Sequence, residues 1–464
     1  MSVEYILLAI ASAGGFYMAW SIGANDVANA MGTSVGSGAL TVKRAVILAA
    51  VLEFAGALFA GTHVSETIRK GIINPMIFQG HELDLVFGMI GALLSAAVWL
   101  QIASYFGWPV STTHSIVGAV LGFGITYGGL NAVDWWKVGS IVASWVTSPL
   151  ISGTIAFLLF TMVRRLIYFS NDPVGVAKRT TPYLVFLVFF VLTLAMVFKG
   201  LKNLHLDLDL GDAMLVATVV GSVASVVSVF LVRRIKSRQI KERILIRQPA
   251  PVGKAIKKAL QRLERVQDQA HGETQSQLST IVNDLRALER EVQIGTTVER
   301  IFVYLQILSA AFVAFAHGAN DVANAVGPLA AVITVLTTGE LAMKAAVPVW
   351  VLAMGGVGII IGLATWGWRV MITIGKKITE LTPTRGFCAE FATAATIVVA
   401  TKFGIPVSTT HTLVGGVLGV GLARGISALN LKVVTNIIIS WVVTIPIGAI
   451  GAVGIYYLMK AIFG

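Results

Sequence analysis

The chain has 464 residues, of which 56% are hydrophobic and 12% charged, with a formal net charge of +12. Soluble domains carry about twice that share of charge, and here nine windows of 19 to 49 residues lack Asp, Glu, Lys and Arg altogether. A spanning helix needs about 20 predominantly apolar residues, so the pattern excludes a soluble enzyme, a fibrous protein and a disordered chain. It also excludes an outer-membrane barrel, whose strands are short and alternating. The chain reads as an all-α polytopic membrane protein embedded in a lipid bilayer.

In chain order, the first uncharged window is 5–25. Met1-Ser2-Val3-Glu4 ahead of it lacks the positive region of a signal peptide, so the segment is expected to be retained as a span. It runs into Gly23-Ala24-Asn25-Asp26-Val27-Ala28-Asn29-Ala30. Glu53 then interrupts the otherwise uncharged stretch 45–61, and window 85–133 contains Phe106-Gly-Trp-Pro-Val-Ser-Thr-Thr-His114. Window 138–163 follows, and after it Arg164, Arg165, Lys178 and Arg179 stand against Asp172 alone. Two apolar segments, 182–198 and 213–232, flank a turn carrying Asp207, Asp209 and Asp212.

The long polar stretch 233–300 holds 15 Lys and Arg against 8 Asp and Glu. Two apolar segments separate it from the short basic loop 164–179, so both loops lie on one side, and the positive-inside tendency makes that side cytoplasmic. A solvated cytoplasmic domain accounts for this charge, and no nucleic-acid partner is expected. Ile256, Leu260, Leu263 and Val266, then Leu278, Ile281, Leu285, Leu288 and Val292, recur at helical spacing. With His271-Gly272 as the turn, they predict a helical hairpin. Beyond it the uncharged windows resume at 301–320, 345–368, 403–423 and 433–459, with Glu390 alone between 386 and 401. The single cysteine, Cys388, allows no intramolecular disulfide.

The chain is internally duplicated. Residues 23–30 recur letter for letter at 318–325, and Phe403-Gly-Ile-Pro-Val-Ser-Thr-Thr-His411 repeats the hydroxyl segment at 106–114. Val117-Gly-Ala-Val-Leu-Gly122 aligns with Val414-Gly-Gly-Val-Leu-Gly419, and Ser144-Trp145 with Pro149 echoes Ser440-Trp441 with Pro446. Repeated halves in a membrane protein point to a secondary transporter whose site lies at the repeat interface near the midplane. The organisation expected is a first membrane repeat at 1–165, connecting transmembrane helices at 166–232, the basic cytoplasmic hairpin at 233–299, and a second membrane repeat at 300–464.

Asn25, Asp26 and Asn29, with Asn320, Asp321 and Asn324 in the second copy, place amides and a carboxylate at membrane depth, where such groups face a cavity or one another. Their oxygens suit a hard monovalent cation. Pro-Val-Ser-Thr-Thr-His reads as a helix N-terminus inside the membrane, offering Ser111, Thr112 and Thr113, and Ser408, Thr409 and Thr410. Free amides and the positive dipole end there suit an anion. Glu53 and Glu390, isolated in apolar sequence, must pair, ligate a cation or take up a proton. By alignment Glu53 falls near Pro348 and Glu390 near Leu93, so they break the repeat. His114 and His411 are expected to donate to neighbouring carbonyls, and His317, where the first copy has Ile22, is a weaker ligand candidate.

The duplicated Gly-Ala-Asn-Asp-Val-Ala-Asn-Ala with two Pro-Val-Ser-Thr-Thr-His segments resembles the PiT family of inorganic phosphate transporters. Residues 32–38 and Ser65-Glu-Thr-Ile-Arg-Lys-Gly71 are similar to that family's first repeat, and Thr382-Pro-Thr-Arg-Gly-Phe-Cys-Ala-Glu390 to the approach to its second hydroxyl motif. The resemblance covers both membrane halves but not the basic loop. It implies phosphate uptake coupled to a cation gradient, with phosphate at Asp26, Ser111, Thr112, Thr113, Asp321, Ser408, Thr409 and Thr410. Sodium would be held by Asn25, Asp26, Asn29, Asn320, Asp321, Asn324, Glu53 and Glu390.

The Gly-Ala-Asn-Asp spelling is similar to the sodium-coupled branch, whereas proton-coupled members carry a His-Asp-Thr variant. The resemblance further implies two inverted repeats with broken or re-entrant helices, about twelve membrane segments, a homodimer with an elevator-like motion, and residence in the inner or plasma membrane. It implies no enzymatic activity and no cofactor beyond co-transported sodium ions. The rival readings are a proton-coupled phosphate carrier and a carrier of a related oxyanion such as sulfate.

Overall fold

The computed structural model describes residues 3–61, 72–197, 208–233, 259–260, 262–264, 266–267, 273–339, 341 and 347–464. The Ser65–Gly71 likeness, Asp207, Ile256 and the His271-Gly272 turn lie outside the described residues. Thirteen α-helices are described: α1 (Val3–Gly36), α2 (Val42–Ala60), α3 (Glu82–Phe106), α4 (Thr112–Gly128), α5 (Trp135–Val163), α6 (Pro173–Val197), α7 (Leu210–Arg233), α8 (Glu273–Thr338), α9 (Val349–Thr365), α10 (Trp368–Lys377), α11 (Pro383–Lys402), α12 (Thr409–Arg424) and α13 (Leu431–Phe463). Among the described residues seven helices are long and apolar enough to cross a membrane. Helices α9 and α10, bent by 70° at the break between them, meet the same measure when taken together.

The duplication in sequence is a duplication in space. Helices α1, α2, α3, α4 and α5 correspond to α8, α9, α11, α12 and α13. Each half builds on the other: α1 packs along α9, α2 along α8, α5 along α12 and α4 along α13. Helices α1 and α8 run antiparallel. Gly15 of α1 faces Leu329 of α8, and Ser37, just past the end of α1, hydrogen-bonds Gln306 of α8. Corresponding helices in opposite directions are what an inverted repeat requires.

The repeated glycines set how closely these helices approach. A methyl group at Gly23 would lie 2.0 Å from the Ile359 carbonyl oxygen, and one at Gly318 would lie 2.1 Å from that of Glu53. Small residues let helix backbones meet where apolar burial gives no drive against lipid. The two contacts are counterparts, so Glu53 occupies in one half the place that Ile359 occupies in the other, rather than aligning near Pro348. The displacement has a simple origin: Gly23 to Glu53 is 30 positions and Gly318 to Ile359 is 41, so the second half carries a longer connection.

Helix α8 runs unbroken from Glu273 through residue 300 into the second repeat. The two stripes of the polar stretch meet where they are described. Leu260 and Val282 are buried against each other with Leu263 and Leu285 beside them, and Arg286 pairs with Glu264 at 2.8 Å. At the same end of the molecule, Glu299 of α8 accepts from the Thr384 amide at 2.8 Å and from Tyr168 Oη at 2.7 Å.

Candidate functional site

The break between α3 and α4 explains the hydroxyl motif. Helix α3 ends at Gly107, whose φ of 68° is a left-handed conformation that favours glycine, with the Trp108 amide bonded back to Ala103. The chain then extends through Pro109, and Ser111 caps α4 by accepting from the His114 amide at 3.2 Å. The second half repeats this with Gly404 at φ 64° and Ser408 accepting from the His411 amide at 3.1 Å. Both motifs are therefore helix N-termini within the membrane-embedded core. The amides of the first turn have no intrahelical acceptor, and Thr112, Thr113, Thr409 and Thr410 sit there fully buried.

These two ends exchange partners across the repeats. Asn29 of α1 donates to Thr410 Oγ1 at 2.8 Å and to Asp26 Oδ1 at 2.9 Å, and Thr410 donates to Asp26 Oδ1 at 3.1 Å. Thr409 donates to Asp321 Oδ2 at 2.7 Å, so one hydroxyl segment touches both carboxylates' clusters. In the opposite sense Asn324 of α8 donates to Thr112 at 3.2 Å and Thr113 at 3.3 Å. His114 and His411 each turn Nδ1 to a tryptophan carbonyl of the other half, Trp441 at 3.4 Å and Trp145 at 3.2 Å, with ring centroids 4.3 Å apart.

Asp26, Thr112, Thr113, Asp321, Thr409, Thr410, Asn29 and Asn324 thus form one cluster. Ser111 and Ser408 stand at its edge as caps. Asn25 turns away to hold the motif loop, donating to the Trp108 carbonyl at 3.0 Å and accepting from the Val110 amide at 3.3 Å. Asn320 donates to Thr401 at 3.0 Å.

Glu53 faces this cluster through a residue that sequence reasoning ranked low. His317 places Nδ1 3.3 Å from Glu53 Oε1 and Nε2 2.9 Å from Asp321 Oδ2, with Asp26 Oδ2 4.0 Å away. Atoms of Asp26, His317 and Asp321 lie within 4.8 Å of one another, all buried. The signal was present in the sequence, since His317 is the position at which the two copies of the motif first diverge. Its counterpart Ile22, also buried, precedes Gly23, which packs against Ile359, so apolar residues stand in one half where Glu53 and His317 stand in the other.

Glu390 lies apart from the cluster, fully buried, in a cage the sequence did not reveal. Its Oε1 accepts from Ser34 at 2.6 Å, from Thr33 and from Gln306 at 3.4 Å, and its Oε2 accepts from Ser309 at 2.6 Å. Thr33 and Ser34 follow the first motif by one turn of α1, and Gln306 and Ser309 precede the second on α8. Only the antiparallel pairing of these helices makes the four donors converge.

Among the described residues several buried oxygens in the main cluster have no hydrogen-bond partner: Asp26 Oδ2, Asn29 Oδ1, Glu53 Oε2, Asp321 Oδ1 and Asn324 Oδ1. Unmet acceptors at this depth are costly. The site therefore sets a group of cation-seeking oxygens beside two anion-seeking helix ends.

A family model described as the phosphate transporter family matches residues 22–452. The chloroplastic inorganic phosphate transporter 2-1 of Arabidopsis thaliana is 46% identical over 442 residues, covering 95% of this chain and 70% of that protein. A putative phosphate permease of Chlamydia trachomatis is 42% identical over 465 residues, covering 99% of this chain and 100% of its own. A solved structure described as the sodium-dependent phosphate transporter superposes with a TM-score of 0.82 at 37% identity, covering 99% of this chain and 100% of that one.

Proposed function

The chain belongs to the phosphate transporter family, a family of transporters and not of enzymes, and from that premise we propose that it imports inorganic phosphate by symport with sodium ions, through alternating access around one midplane site formed by both repeats. The observation that carries the coupling is the set of unpartnered buried oxygens on Asp26, Asn29, Glu53, Asp321 and Asn324 beside the N-termini of α4 and α12.

Phosphate sits between the two helix ends, held by the first-turn amides and the hydroxyls of Ser111, Thr112, Thr113, Ser408, Thr409 and Thr410. Carboxylates as near as Asp26 and Asp321 would repel a dianion unless cations enter with it. Sodium supplies that charge, ligated by Asp26, Asp321, Glu53 and the amide oxygens of Asn29, Asn320 and Asn324, while Asn25 holds the motif loop and Glu390 with its hydroxyl cage is a separate station. The carboxylates also separate phosphate from sulfate, because monohydrogen phosphate has a proton to donate and sulfate has none. The basic loop faces the cytoplasm in this assignment.

The test is uptake of radiolabelled phosphate into proteoliposomes. An inward sodium gradient should drive accumulation, with arsenate competing and sulfate competing poorly. Accumulation driven equally well by a proton gradient without sodium would overturn the sodium assignment.

A further inference from the structure

A cleft of about 500 Å3 opens between α10, α13 and the end of α3, and the transport cycle described above makes no use of it. Its floor is Trp108 and Pro109, its walls include Trp99, Ile437 and Val443, and Lys377 lies at one end. Almost all of the lining is apolar, which suits neither phosphate nor a hydrated ion. Phe106, Trp108, Ile439 and Val443 around it are 59%, 46%, 54% and 39% exposed, so the cleft opens outward from the bundle into the surrounding bilayer.

The two ends of the cleft lie at different depths. The floor is at the level of the substrate cluster, because Asn25, next to Asp26, holds the Trp108 carbonyl at 3.0 Å. Lys377 marks the other end, on the face of the molecule that carries the basic loop. There the Asn430 amide bonds the Ile378 carbonyl at 3.0 Å, Arg424 and Arg385 approach Glu380 at 3.5 Å, and the Thr384 amide bonds Glu299. Lys432, one turn of α13 before the lining residue Asn436, is exposed at the same end. Lys377 and Lys432 have no carboxylate partner among the described residues.

We propose that this cleft is a binding site for one anionic phospholipid of the leaflet on the basic-loop side. The headgroup phosphate lies against Lys377 and Lys432, and an acyl chain runs along α13 to Trp108 and Pro109. The gradient from paired cations at the membrane face to an apolar slot at mid-depth matches the gradient along a lipid, and juxtamembrane lysines attract anionic headgroups. The chain end abuts the loop at 106–110 that Asn25 clamps and whose Val110 carbonyl oxygen lies 3.1 Å from Thr410 Oγ1. The bound lipid therefore braces one hydroxyl motif and sets the transport rate.

Full-length protein reconstituted in phosphatidylcholine vesicles, with and without phosphatidylglycerol, tests this. Phosphatidylglycerol should speed phosphate uptake several-fold, and native mass spectrometry should show one molecule retained per chain. The double variant Lys377→Gln, Lys432→Gln should lose both effects while keeping the wild-type rate in phosphatidylcholine alone. Val443→Trp, which fills the slot without touching charge, should also lose the stimulation. Equal rates in the two vesicle types, stimulation undiminished in the double variant, or a fall of its rate in phosphatidylcholine would each overturn the proposal. The last result would make the cleft a passage for phosphate itself. Lipid retention is read without transport, so failure of the sodium assignment would leave this test intact.

Discussion

The Glu53–His317 contact gives the sharpest prediction, because the molecule contains its own apolar control. The same helix crossing in the other half sets Gly23 against Ile359, with the buried Ile22 next to it in the chain. Removing one member of a buried polar pair leaves its partner stranded and costs about 3–5 kcal/mol, whereas replacing both by well-packed apolar groups of similar volume is close to neutral. Glu53→Ile leaves His317, 0% exposed, with only Asp321 and Asp26 beside it, and His317→Ile leaves both Glu53 oxygens buried without donors. Each single variant should lose about 3 kcal/mol or more, and the double variant should return to within roughly 1 kcal/mol of wild type, since it copies a packing solution already present. Reversible unfolding in mixed detergent micelles, read by fluorescence and by retention of monodisperse protein, measures these differences. All three variants should be inactive in phosphate uptake. A double variant no more stable than the weaker single would refute the claim that the two crossings are interchangeable in packing and differ only in chemistry.

Gly318→Ala sets a methyl group 2.1 Å from the Glu53 carbonyl oxygen and forces α2 and α8 apart; a shift near 1 Å at a reacting centre costs about 100-fold in rate, so uptake should fall by that order. Gly454→Ala on α13, where the added methyl meets none of the described residues within 4 Å, should leave uptake unchanged, and equal effects at the two positions would remove the close-approach argument. Asp26→Asn and Asp321→Asn should each abolish uptake while the protein still inserts and stays monodisperse, and normal transport by either would break the shared-site reading for that half. Ser111→Ala or Ser408→Ala should cost about 1 kcal/mol of stability through loss of a helix cap and weaken phosphate affinity roughly tenfold through loss of a hydrogen bond to a charged partner. Glu390→Gln should change the sodium dependence of uptake more than its phosphate dependence, because its four donors lie on α1 and α8 away from the hydroxyl motifs.

Much of this arrangement was legible in the chain itself. Charge-free windows of spanning length predict the helices, and the duplicated motifs single out Asp26, Asp321 and the two threonine pairs, which the fold brings into one cluster. The Pro-Val-Ser-Thr-Thr-His segments read as buried helix N-termini because proline and a capping serine precede the helix, and Gly107 and Gly404 supply the turn back. Long-range convergence was not legible. Nothing in local sequence says that Gln306 and Ser309 of α8 meet Thr33 and Ser34 of α1 around Glu390. That contact follows from two helices running antiparallel, a property of the duplicated topology rather than of any segment. The spatial partner of Glu53 was hidden by the longer connection in the second half, and it became visible only through the matched glycine contacts at Gly23 and Gly318. His317 was undervalued because asymmetry between the repeats looked like a reason to discount it, whereas that asymmetry is what completes the pair with Glu53.

The central claim is that one site, shared by the two halves, holds a cation and phosphate that stabilise each other. Equilibrium binding of phosphate to the purified protein, titrated at a series of fixed sodium concentrations and then in the reverse order, measures this directly. Reciprocity requires that sodium tighten phosphate binding by the same factor by which phosphate tightens sodium binding. The account predicts a factor well above ten in both directions, lost in Asp26→Asn and in Asp321→Asn alike. Phosphate binding with equal affinity at every sodium concentration would contradict it.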